Sequence, residues 1–257
     1  MSSMEKRYFV NQDSIVRAIW GKPDTILFIF AGAAAEFALN KSVDWLFFTG
    51  RLPADPLGRL FSTVQYARLI VFSTNDEALR VIDRMASIHH QVEQARSAKI
   101  PAYAYRDVLY MLIDYSIRAY ELLERQLTLQ EKAEVYDVFG RVGRRMGIPD
   151  LPIDFVHWLP DREQHLRNDL EVSQYSVELF KQYRKHLGWA RYKILLAAQG
   201  VIVPDLVRDL LKLASSWWAK FAISAYRQTV KLKLDWYLKL LILPRKYIDD
   251  IKKLEIR

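Results

Sequence analysis

His89 shares a helical face with Ala78, Val81, Ile82, Met85, Ile88 and Val92, which recur at intervals of three and four residues. An imidazole inside an apolar stripe needs a partner for its ring nitrogens, and haem iron in a hydrophobic crevice supplies one. His90 follows directly and is the fallback ligand. Arg59 and Thr63 stand four residues apart on the preceding stretch, so a guanidinium and a hydroxyl share one face beside an apolar stripe. Both are donors suited to a bound oxygen species or a haem propionate. The plainer alternative is a surface arginine and a threonine bonded to its own helix backbone.

Elsewhere the chemistry is narrower. Of the five histidines, His157, His165 and His186 lie in polar or loop-like surroundings without a paired histidine or carboxylate at zinc-ligand spacing, and are read as packed or solvated. The chain has no cysteine, which excludes disulfides, thiolate metal sites, iron–sulfur clusters and a cysteine nucleophile. Any metal must be held by histidine, carboxylate or tyrosinate. Glu36 sits inside the most apolar run, 25–39, where a carboxylate must be paired or neutral; Arg59 and His90 are its candidate partners. Asp44 is a second acidic residue upstream of Arg59.

These groups must be positioned by helices, because apolar residues return at three- and four-residue intervals and alternating β-branched segments are almost missing. The fold class is all-α. Asp55-Pro56 opens a helix with Leu57, Leu60, Phe61, Val64, Ala67 and Val71 on one stripe, ending near Ser73. Thr74 and Glu77 have capping-box spacing and start the helix that carries His89. A third helix is expected over about 105–125, with Val108, Leu109, Leu112, Ser116, Ala119 and Leu123 inward. Others follow at about 129–146, from about Asp161, at about 172–199 and at 205–243.

At 257 residues and 51% hydrophobic, the chain can bury one sizeable core. Nine glycines and nine prolines are scattered without forming a linker, so residues 1–257 read as a single domain. The formal charge of +8 is dispersed, and no helix–turn–helix spacing or aromatic RNA-binding motif accompanies it, so nucleic acid is not an expected partner. Run 25–39 is too short to span a membrane, and the N-terminus lacks a secretory pattern, so the expected compartment is the cytoplasm. Around Trp217, Trp218 and Lys231 aromatics mix with lysines, which suits either an interfacial membrane helix or a final helix packed on the domain.

The segments Arg59-Leu-Phe-Ser-Thr63, Ile88-His89-His90-Gln91-Val92, Tyr103-Ala104 and Arg145-Met-Gly-Ile-Pro149 through Pro152 resemble the rubber oxygenase (latex clearing protein) family. That family includes a fungal endoplasmic-reticulum oxygenase of mycophenolic acid synthesis. The resemblance runs from about 20 to 152, with a family-like core to about 200. It implies a globin-like helical domain holding haem b through His89, with Arg59 and Thr63 lining the haem pocket. It further implies dioxygen as co-substrate and cleavage of a carbon–carbon double bond in an isoprenoid chain.

Four departures bear on this. Rubber-cleaving members carry a lysine just before the threonine that can take the sixth iron position, whereas Ser62 stands here. Glu93 and Gln94 replace the glycine that usually follows the histidine segment, and the stretch 101–114 is shorter. A carboxylate base has no firm counterpart. The expected function is thus a haem b-dependent oxygenase acting on a hydrophobic, isoprenoid-type small molecule. The alternatives are a haem protein for electron transfer or gas sensing, and a helical protein that contacts membrane surfaces through 205–243.

Overall fold

Ser14 caps the first helix, α1 (Ile15–Trp20), its hydroxyl accepting from the Val16 N–H, and Gly21 closes it. α2 (Pro23–Phe37) starts on proline, whose missing N–H costs nothing at a first helical position. Together with α3 (Asp44–Phe48), these helices open a computed structural model that describes residues 7–48 and 55–214. α4 (Pro56–Phe72) is capped by the Asp55 carboxylate, and α5 (Asn75–Arg96) by the Thr74/Glu77 capping box. α6 (Ala102–Leu123), α7 (Leu129–Arg145), α8 (Phe155–Asp169), α9 (Gln174–Ile202) and α10 (Asp205–Leu210) complete the order. Among the described residues the β contacts are two single bridges, Tyr8 with Thr74 and Asn40 with Leu170, so the chain is all-α as its periodicity predicts.

α6 is the central element. It is buried on almost every side, from Leu109 and Tyr110 through Ile113, Tyr115 and Ile117 to Ala119, as a helix apolar all round must be. α2 lies along it, with α7 and α8 on other faces. The close approach of α2 depends on Gly32, where an added Cβ would stand 2.3 Å from the Tyr115 ring. One contiguous core runs from Phe9 to Val207, and a satellite cluster of Ala34, Ala38, Val43, Leu179 and Tyr183 seats the first half of α9.

Several boundaries differ from the sequence reading. α8 begins at Phe155, six residues before Asp161, because the Asp154 carboxylate accepts from the His157 N–H and caps it there. Val108, expected inward, faces outward beside buried Asp107 and Leu109. α9 breaks its direction at Gly188, whose φ of 75° suits a residue without Cβ. The helix expected over 205–243 stops at Leu210: Lys212 takes φ 51° and the Leu213 N–H returns to the Arg208 carbonyl, a helix-ending turn. The remainder of that stretch lies outside the described residues. No helix among the described residues is long and apolar enough to cross a membrane.

Candidate functional site

α4 and α5 follow one another through Ser73 and Thr74 and pack together. Arg59 lies thirteen residues before Phe72 and His89 fourteen after Asn75. At 1.5 Å per residue each stands about 20 Å along its own helix from the connection. Near the connection the pair is buried, with Ile70, Val71, Ala78 and Ile82 inside. Farther out Thr63 on α4 and Met85, Ile88, His89 and Val92 on α5 are only half-buried. The side chain of Arg59 lies outside the described residues.

The Nδ1 atom of His89 is buried. Its ring stands edge-on to Tyr105 of α6, with centroids 5.3 Å apart and planes at 84°. Tyr105 is fixed in turn by Glu93, whose Oε1 accepts from the phenol at 3.2 Å and from the Ile100 N–H at 3.0 Å. Burial, reinforced by the Glu93 charge, pushes the Tyr105 phenol well above its ordinary value, so it is a hydrogen-bond donor at any physiological pH. Glu93, one of the two residues in place of the family glycine, thus ties the α5–α6 loop to the ring beside His89. His90 points elsewhere: it is exposed, its Nε2 lies 3.0 Å from the Gln94 amide, and its Nδ1 lies 3.7 Å from Glu93.

Glu36 is buried and paired, as an apolar helix requires, but its partner is not His90, which is exposed. Arg162 of α8 donates to both its carboxylate oxygens at 2.6 Å, and the Tyr115 phenol donates at 2.8 Å. Arg162 also reaches Asp114 Oδ2 at 3.0 Å, and Arg118 holds the other Asp114 oxygen at 2.7 Å. Burial alone would raise the Asp114 carboxyl, but the charges of Arg162 and Arg118 and their hydrogen bonds outweigh it and hold it below the usual range. Sequence reasoning missed Arg162 although it occupies an apolar stripe, Phe155-Trp158-Arg162-Leu166, just as Glu36 does. Asp44 is likewise engaged, accepting from Arg96 at 2.7 Å while that guanidinium stacks 4.0 Å over Trp45.

A second cluster was also missed. His165 Nδ1 lies 2.8 Å from Asp107 Oδ1 and 2.7 Å from Asp169 Oδ2. The second Asp107 oxygen accepts from the Asn40 amide at 2.6 Å. His165 therefore is not a solvated helix histidine. The signal was Asp169, one turn later on the same helix face. Burial acts to lower the His165 ring, but the Asp107 hydrogen bond and the charges of Asp107, Asp169 and Asp161 raise it overall. Asp169 is raised by burial and by Asp107.

A haem needs an imidazole backed by protein and flat apolar walls. The residues fit: His89 has a buried ring nitrogen and an aromatic support, and Val81, Met85, Ile88 and Val92 offer an apolar face that is only half-buried. The fold and this helical pair define an all-helical domain with a histidine-bearing apolar face. Over residues 24–232 the chain matches the family described as "ER-bound oxygenase mpaB/B'/Rubber oxygenase, catalytic domain". It belongs to that family, and its general chemistry is that of an oxygenase. No curated protein and no solved structure matches the chain.

Proposed function

We propose that the chain is a haem b-dependent oxygenase that cleaves a carbon–carbon double bond of a hydrophobic, isoprenoid-type small molecule with dioxygen. The observation that carries this reading is His89: a half-buried imidazole on an apolar face, braced by Tyr105, on the helix that directly follows the one bearing Arg59 and Thr63. His89 would hold the iron. Haem iron supplies the activation of dioxygen, and the two oxygen atoms end in two carbonyl products. Arg59 and Thr63 contribute donors toward bound oxygen or a propionate, and the apolar walls keep water out. Ser62 stands where rubber-cleaving members carry a lysine, so this position would supply no amine to the iron.

The setting we propose is cytoplasmic, with peripheral membrane contact through the C-terminal stretch, about 205–243, as an addition. One observation favours a second reading, a haem protein for electron transfer or gas sensing. Both carboxylates considered as a base, Glu36 and Asp44, are held in arginine ion pairs. The two readings separate on oxygen uptake and carbonyl formation with short polyisoprenes. The oxygenase reading predicts both for the wild type, and for Arg59→Ala a rate lower by on the order of 10²-fold with haem retained. Haem-loaded protein that consumes no oxygen with any such alkene leaves the second reading.

A further inference from the structure

Away from His89, three chain segments converge on one point. The loop after α2 is joined to the end of α8 by two backbone hydrogen bonds, Lys41 N–H to the Asp169 carbonyl at 2.9 Å and Glu171 N–H to the Leu39 carbonyl at 2.8 Å. The first turns of α6 bring Asp107 to the same place, and α8 supplies His165 and Asp169 one turn apart. One imidazole nitrogen and one oxygen from each of two carboxylates thus lie within 4.8 Å of one another. The set is sunk but reachable, with side-chain exposures of 3% for Asp107, 11% for His165 and 16% for Asp169.

The hydrogen bonding leaves this cluster short of positive charge. Nδ1 carries at most one proton, yet it faces two carboxylate oxygens at 2.7 and 2.8 Å. That single proton cannot be directed at both. A dication placed among the three atoms would satisfy both carboxylates and take the nitrogen lone pair together. The surroundings are those of a supported metal site: the Asn40 amide fixes Asp107 through its outer oxygen, leaving Oδ1 inward. The Tyr110 ring stands edge-on to His165, centroids 5.4 Å apart, and fixes the imidazole plane. Donors now 2.7–2.8 Å apart must spread to about 3.4 Å, the tetrahedral edge for bonds of about 2.1 Å.

We propose that Asp107, His165 and Asp169 form a binding site for a divalent first-row metal ion, separate from His89, that ties the end of α2 to α6 and α8. One imidazole with two carboxylates is a mixed nitrogen and oxygen set, which suits Zn²⁺ or Mn²⁺. Three protein ligands leave at least one coordination position for water.

The test is a Zn²⁺ titration and a parallel Mn²⁺ titration of the untagged, chelator-stripped full chain, each followed by calorimetry and by elemental analysis for the added metal, which haem iron does not disturb. One equivalent of zinc is expected in the wild type and in His89→Ala. The stoichiometric ion should be lost in His165→Gln and Asp169→Asn, and Asn40→Ala should weaken affinity about 10–100-fold. A wild-type chain that takes up no stoichiometric zinc or manganese overturns the proposal without reference to any variant. So does wild-type affinity in a folded His165→Gln.

Discussion

At Glu36, two charged hydrogen bonds from Arg162 and one from Tyr115 replace the water that burial removes, and Asp114 and Arg118 continue the network outward. A buried arginine between two carboxylates makes each member dependent on the others. Because Asp114 has its carboxyl held below its unfolded value, it contributes stability above about pH 4, and that contribution is lost as pH falls through the lower folded value. Asp114→Asn is therefore expected to cost about 3 kcal/mol at neutral pH, with the gap to wild type closing in acid. Urea denaturation of both chains between pH 7 and pH 2.5 checks this. A gap that stays constant with pH would mean that Asp114 acts through packing rather than charge. The Tyr105 phenol, pushed up by burial and Glu93, stays protonated throughout.

The helices follow local rules where their ends are set by local groups. Asp55-Pro56 and the Thr74/Glu77 box are read from sequence within a residue or two because a cap needs only neighbours three positions away. The start of α8 was missed because Pro160 lies inside the helix that Asp154 caps, and a proline there reads as a break before Asp161. The placement of His89 and Thr63 on one helical pair was legible for the same local reason. The partner of Glu36 was not, since Arg162 stands 126 residues away and only tertiary packing joins them. Even so, each stripe carried one unexplained charge of opposite sign, a cue that spacing rules within single helices do not use. The α2–α6 contact was equally hidden: it requires a glycine where the Tyr115 ring crosses α2, one turn before Glu36. Gly32→Ala is expected to overpack that crossing and cost about 1–3 kcal/mol, read as a lower melting temperature. An unchanged melt would show that the two helices can part without loss.

Across the whole molecule, the family match from 24 to 232 extends well past the 20–152 segment in which the motifs lie, so the later helices belong to the same family unit as His89. Composition had restricted a metal to histidine, carboxylate or tyrosinate ligands; among the described residues Asp107, His165 and Asp169 cluster in that way, while the proposed haem ligand His89 lies on an apolar face. They differ in the way haem and a free dication differ, which is why they are assigned separately. The central claim is that His89 holds a haem. It is tested most directly by absorption spectra of the chain expressed with ample haem supply, recorded as isolated, after dithionite and after carbon monoxide, for wild type and His89→Ala. The account predicts a Soret band that shifts on reduction in the wild type and is lost in folded His89→Ala. A folded wild-type chain without that band, or a His89→Ala chain that keeps it, would contradict the assignment.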